Sequence, residues 1–129
     1  MKILRSTPVL VVDKIEPSLP FWVDRLGYLK QVEVPHGDNL GFVILEKDGL
    51  EVMLQTRESV EADLPAIKSY VRGNAITQFI EVDSLDDVLK KLEGYDLLTP
   101  VRTTFYGMRE AILADPNGYV LVFAEKLNE

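Results

Sequence analysis

The chain has 129 residues, the length of one ordinary domain and enough to bury a core without disulfides or metals. It contains no cysteine, which excludes disulfide scaffolds, thiolate zinc sites and cysteine nucleophiles. The net charge of −7 argues against nucleic acid as a partner, and no run approaches the roughly 18 apolar residues of a membrane span.

The first predicted element is a strand over 8–13, Pro-Val-Leu-Val-Val-Asp, whose β-branched apolar run reads as buried on both faces. Glu16-Pro17-Ser18 opens a helix in which Leu19, Trp22, Val23 and Leu26 form one apolar stripe, with Gly27 as its C-terminal cap. Pro20 falls near the first turn, where its missing N–H costs little. Strands follow at 29–34, 41–46 and 50–55. His36-Gly37-Asp38-Asn39 separates the first two, and Lys47-Asp48-Gly49, a hairpin signal, separates the last two. Residues 56–74 are polar, with a short helical stretch around Leu64–Val71. A second strand at 76–82 leads into a helix over 85–93 capped by Asp83 or Ser84, with Leu85, Val88, Leu89 and Leu92 inward. Strands at 97–103, 106–114 and 119–125 complete the chain. Asp115-Pro116-Asn117-Gly118 supplies the turn between the last two.

The order repeats. Thr7, Val12 and Asp13 match Thr77, Val82 and Asp83 at one constant offset, and Gly27-Tyr28 matches Gly94-Tyr95 after a helix three residues shorter. Shared element order together with these matches favours an internal duplication. Met1–Ser6 is short and polar for a secretory signal. With the absence of cysteine, this reads as a cytoplasmic protein.

Val12-Asp13, Ser18-Leu19-Pro20-Phe21-Trp22 and Leu26-Gly27-Tyr28 resemble the first half of a vicinal-oxygen-chelate domain. Val82-Asp83-Ser84-Leu85-Asp86, Tyr106-Gly107-Met108-Arg109-Glu110 and Asp115-Pro116-Asn117-Gly118 resemble its second half. That superfamily contains glyoxalase I, extradiol dioxygenases and fosfomycin- and bleomycin-resistance proteins. The resemblance implies an α+β fold with two tandem βαβββ modules forming a curved mixed sheet around one cleft. The whole of residues 1–129 is then one domain: module one over 6–56, a linker over 57–74 and module two over 75–126.

In metal-dependent members of that superfamily, the ligands come from the first and last strands of each module, His or Gln on the first and Glu on the last. Carried onto this chain, those slots hold Thr7, Met53 or Glu51, Thr77 and Val122. Neutral hydroxyls, a thioether and a valine do not suit a hard divalent cation, and one carboxylate is too few for a catalytic site. The only histidine, His36, stands in a turn, where an exposed position is the expectation. We therefore expect no metal, no cofactor and no catalytic residue set.

Strand alternation groups Thr7, Val9, Glu51, Met53, Thr77, Phe79 and Val122 on the cleft side, with Phe42, Phe105, Tyr106, Met108 and Glu110 as further candidates. Val9, Phe79 and Val122 are residue types more often found as plain core. Met53 and Met108 serve as gap-fillers as readily as ligand contacts, and Glu51 and Glu110 suit solvated strand positions. Phe105-Tyr106 is the pair best suited to stack on a ligand. The expectation is a metal-free binder of a cationic or aromatic antibiotic-like compound, of the bleomycin-resistance type and homodimeric. The alternatives are a metal-dependent lyase, isomerase or dioxygenase and a non-catalytic interaction module.

Overall fold

The computed structural model describes residues 2, 4–65, 73 and 76–127. The chain forms two compact units, Met1–Gly73 and Asn74–Glu129. Each contains one four-stranded mixed sheet backed by helical segments, an α+β layout repeated in both halves.

The first unit runs β1 (Val9–Val12), a 3-10 turn (Glu16–Ser18), a π-helix (Pro20–Arg25), β2 (Leu29–His36), β3 (Asn39–Lys47), β4 (Leu50–Thr56) and α1 (Arg57–Asp63). Its sheet order is β1-β4-β3-β2, with β1 parallel to β4 and the other pairs antiparallel. Leu10, Val12, Val43, Leu45, Val52 and Leu54 alternate onto one face and are buried. The other face of β1 is not closed: Val9 is 38% exposed, against the expectation of a strand buried on both faces.

The predicted regular helix after β1 is instead a 3-10 turn followed by a π-helix. Pro17 and Pro20 lack the N–H that an α-helical ladder requires. Leu26 N–H then bonds five residues back to Phe21 C=O at 3.1 Å. The wider turn buries the adjacent Phe21 and Trp22 together with Leu26, while Leu19 and Val23 are only half-buried. Trp22 meets Phe21 and Tyr28 edge to face, at centroid separations of 5.5 and 5.2 Å. Burial among these rings, with Asp48 nearby, raises the Tyr28 phenol above its ordinary value.

Asp48 and Gly49, both at positive φ, make the two-residue turn joining β3 to β4, and Glu46 Oε1 accepts Gly49 N–H at 2.7 Å. At the opposite end, α1 occupies the start of the expected linker. Thr56 caps it by accepting Ser59 N–H at 3.1 Å. Residues 66–71 of the helical stretch expected at 64–71 lie outside the described residues.

The second unit runs β5 (Thr77–Val82), α2 (Leu85–Lys91), β6 (Arg102–Thr103), β7 (Met108–Ala114) and β8 (Val120–Lys126), in sheet order β5-β8-β7-β6. This is the same arrangement as in the first unit, again with one parallel pair. Leu85, Val88 and Leu92 of the α2 segment are buried together with Ala111, Leu113, Leu121 and Phe123 of the sheet. Ser84 Oγ accepts Asp87 N–H, and Glu125 Oε1 accepts Leu85 N–H, so two acceptors close the helix start.

The strand expected at 97–103 is broken. Leu97 bridges Leu113 and Arg102 pairs with Glu110, so the segment between them carries more residues than the facing part of β7. Pro100 in that segment has no donor for a ladder. Asp115 stabilises the turn after β7. Its carboxylate accepts Asn117 N–H at 3.0 Å and Tyr119 N–H at 2.9 Å, and Gly118 takes the positive φ that closes the turn.

Candidate functional site

Apart from α1 at one end of the first sheet, each sheet has one face backed by helix and one without. On the helix-free face of the first unit, Val9 pairs with Met53, Met53 with Ile44, and Phe42 with both Gln55 and Val34. Paired residues share a face, so Val9, Met53 and Phe42 stand on it together, and strand alternation adds Glu51. Thr7 precedes β1 and is half-buried. Glu51 is held by Arg5 at 2.8 Å.

A concavity of about 530 Å³ opens at the end of this face, between β2, β3, β4 and α1. Val34, Pro35, Phe42 and Ala62 supply its apolar walls, and His36, Gln55, Ser59 and Asp63 its polar groups. Gln55 donates to Ser59 Oγ at 3.1 Å, fixing two of the polar groups relative to each other. His36, expected in an exposed turn, ends β2 half-buried, with Nε2 3.8 Å from Glu58. Gly41 is buried behind it. A Cβ there would lie 2.5 Å from His36 Cβ and 3.3 Å from Ser59, so glycine alone leaves room for this wall.

On the helix-free face of the second unit, Phe79 pairs with Val122, Val122 with Ile112, and Ala124 with both Glu81 and Glu110. Thr77 pairs with Val120 rather than Val122, one step along the same face. Thr77 is exposed, Phe79 is 52% exposed and Val122 is nearly buried. Glu110, on the inner strand β7, is 1% exposed. Arg102 Nε and Nη2 donate to its Oε1 at 3.0 and 2.9 Å, and the Tyr106 hydroxyl donates to its Oε2 at 2.6 Å. This hydrogen bond to Glu110, followed by desolvation, raises the Tyr106 phenol above its ordinary value, and the same carboxylate raises Arg102.

Phe105 and Tyr106 occupy the turn between β6 and β7, edge to face at 5.1 Å. Phe105 is fully exposed, whereas Tyr106 folds back onto Glu110. Thr104 and Met108 close the turn through backbone and hydroxyl bonds, and Gly107 takes its positive φ.

Arg102 was missed by sequence reasoning, although the hairpin centred on Tyr106-Gly107 sets it opposite Glu110. Ser59 and Asp63 fall in the expected linker that α1 in fact occupies, while Gln55 stands in the predicted strand 50–55 and carries no sequence signal of a site. The donor set does not fit a catalytic metal. The family's slots hold hydroxyl, thioether and alkyl groups, Glu51 is committed to Arg5, and no group of three His, Asp or Glu side chains converges among the described residues.

A family model for the glyoxalase/bleomycin resistance protein/dioxygenase superfamily matches residues 5–123. Bleomycin resistance proteins of Geobacillus stearothermophilus and Staphylococcus aureus are each 24% identical over 135 aligned positions, covering 96% of this chain and 98% of theirs. A crystal structure of a glyoxalase/bleomycin resistance protein/dioxygenase from Nocardioides superimposes with a TM-score of 0.74 at 21% identity, covering 98% of this chain and 87% of that one. A family enzyme from Burkholderia phytofirmans gives 0.75 at 20% identity, covering 95% and 98%. Repeated module layout and a family match over nearly the whole chain agree: the chain belongs to the glyoxalase/bleomycin resistance protein/dioxygenase superfamily.

Proposed function

We propose that the protein binds a small molecule without a metal, as a sequestering protein of the bleomycin-resistance type. The observation that carries this reading is the concavity over Phe42. Its volume of about 530 Å³ lies within the range of ligand sites, and apolar and polar side chains share its wall in equal number. The candidate contacts are Thr7, Val9, Phe42, Glu51 and Met53 in the first unit. In the second they are Thr77, Phe79, Phe105, Tyr106, Glu110 and Val122. The acidic balance and the exposed aromatic side chains favour a cationic, partly aromatic compound.

We propose further that the protein acts as a cytoplasmic homodimer, with no role for nucleic acid or membrane. No helix among the described residues is long and apolar enough to cross a bilayer. Light scattering at high micromolar concentration is expected to give twice the chain mass; a monomer would refute the dimer.

The test of binding is a thermal-shift screen of chelator-treated protein against antibiotics, cationic aromatics and divalent metals. A ligand at a hundred times its Kd should add about 2.7 kcal/mol of stability. A response to metals alone would overturn the reading in favour of a metal-dependent lyase or dioxygenase.

A further inference from the structure

Glu110 combines burial with replaceable partners. A carboxylate with 1% exposure on an inner strand must be paired, because an isolated charge there is strongly disfavoured. Both of its side-chain partners come from the sheet margin. Arg102 belongs to a two-residue edge strand beside the interrupted 98–101 segment, and its side chain is 53% exposed. Tyr106 belongs to the hairpin turn and is 51% exposed. The anion is fixed in the sheet, while the cation reaches it from solvent and regains hydration on leaving.

We propose that Glu110 is the cation subsite of the ligand-binding face and that Arg102 is its resident occupant, displaced by a ligand carrying a planar amidinium or guanidinium group. This rests on the small-molecule reading above. Two Arg102 donors converge on one carboxylate oxygen, a contact that a second planar, forked cation reproduces and a compact ammonium does not. Tyr106, at the subsite, and Phe79, two strands away on the same face, are both about half exposed and available to the aromatic body of such a ligand. Glu81 is exposed on the same face and adds attraction for a cation. Arg109 is turned to the helix side, where it pairs with Asp86 at 3.0 Å, and so does not compete for Glu110.

Benzamidine and its anionic isostere benzoate test the subsite. In the unmodified protein, benzamidine should shift the Arg102 Nε–H resonance towards that of a free arginine, and benzoate should leave it in place. Arg102→Ala should tighten benzamidine at least tenfold by removing the competitor, and Glu110→Gln should weaken it at least tenfold. The Arg102 resonance reads displacement without any substitution, so the outcome does not depend on how well the variants fold. An unmoved resonance at up to tens of millimolar benzamidine overturns the proposal, as does benzamidine binding no tighter to Arg102→Ala. Equal binding of benzoate and benzamidine sinks the cation subsite while leaving the small-molecule reading intact.

Discussion

Two residues carry expectations of their own. At Gly41 the missing side chain is what lets β3 pass His36. Gly41→Ala should push His36 or Ser59 out of place and lower stability by about 1–3 kcal/mol, read as a reduced denaturant midpoint with an unchanged slope. At Tyr106 the hydrogen bond to Glu110 favours the neutral phenol, so its folded-state pKa lies above the unfolded one. Its contribution to stability is therefore complete below the ordinary tyrosine value and is lost as pH rises through the raised value. Absorbance titration of the phenolate should show Tyr106 ionising late. In Glu110→Gln it should move back towards the ordinary value, because the charged acceptor is gone; an unmoved titration would place the cause elsewhere.

Among the elements, α2 and β7 leave a gap. Val88, Leu89, Leu92, Tyr95, Leu97, Ala111 and Leu113 line a mostly apolar cavity of about 100 Å³. Ala111→Val should fill part of it and stabilise the protein by about 0.5–1 kcal/mol, seen as a Tm rise of a few degrees. A lower Tm would mean the cavity cannot accept a branched side chain. Most of the strands, and the turns at Asp48-Gly49 and Asp115–Gly118, could be read from the sequence because alternation and turn-residue chemistry are local signals. The π-helix could not, since it follows from two prolines acting against an apolar stripe that fits an ordinary helix. The break at 98–101 was hidden for a similar reason. An apolar run marks a strand, but only the facing register shows where it leaves the ladder. The Arg102–Glu110 pair depended on that register as well, so Glu110 was named as a candidate and its partner was not.

At the scale of the whole molecule, the repeat seen as Thr, Val-Asp and Gly-Tyr becomes two sheets of identical strand order. Val9 with Met53 and Phe79 with Val122 occupy matching positions in them. The two units share this scaffold, and the positions where the resemblance puts metal ligands carry Thr7, Met53 or Glu51, Thr77 and Val122. What the two units retain is different in each: a wide concavity over Phe42 in one, a buried carboxylate under an arginine and a tyrosine in the other. The central claim is that binding needs no metal. Isothermal titration of the compound giving the largest thermal shift, with chelator-treated protein and with protein supplied with Mn, Ni or Zn, tests it most directly. We expect saturable binding to the metal-stripped protein, with Kd changing less than about threefold, well under 1 kcal/mol, on adding metal. Binding that appears only with metal, or heat from turnover of the compound, would contradict it.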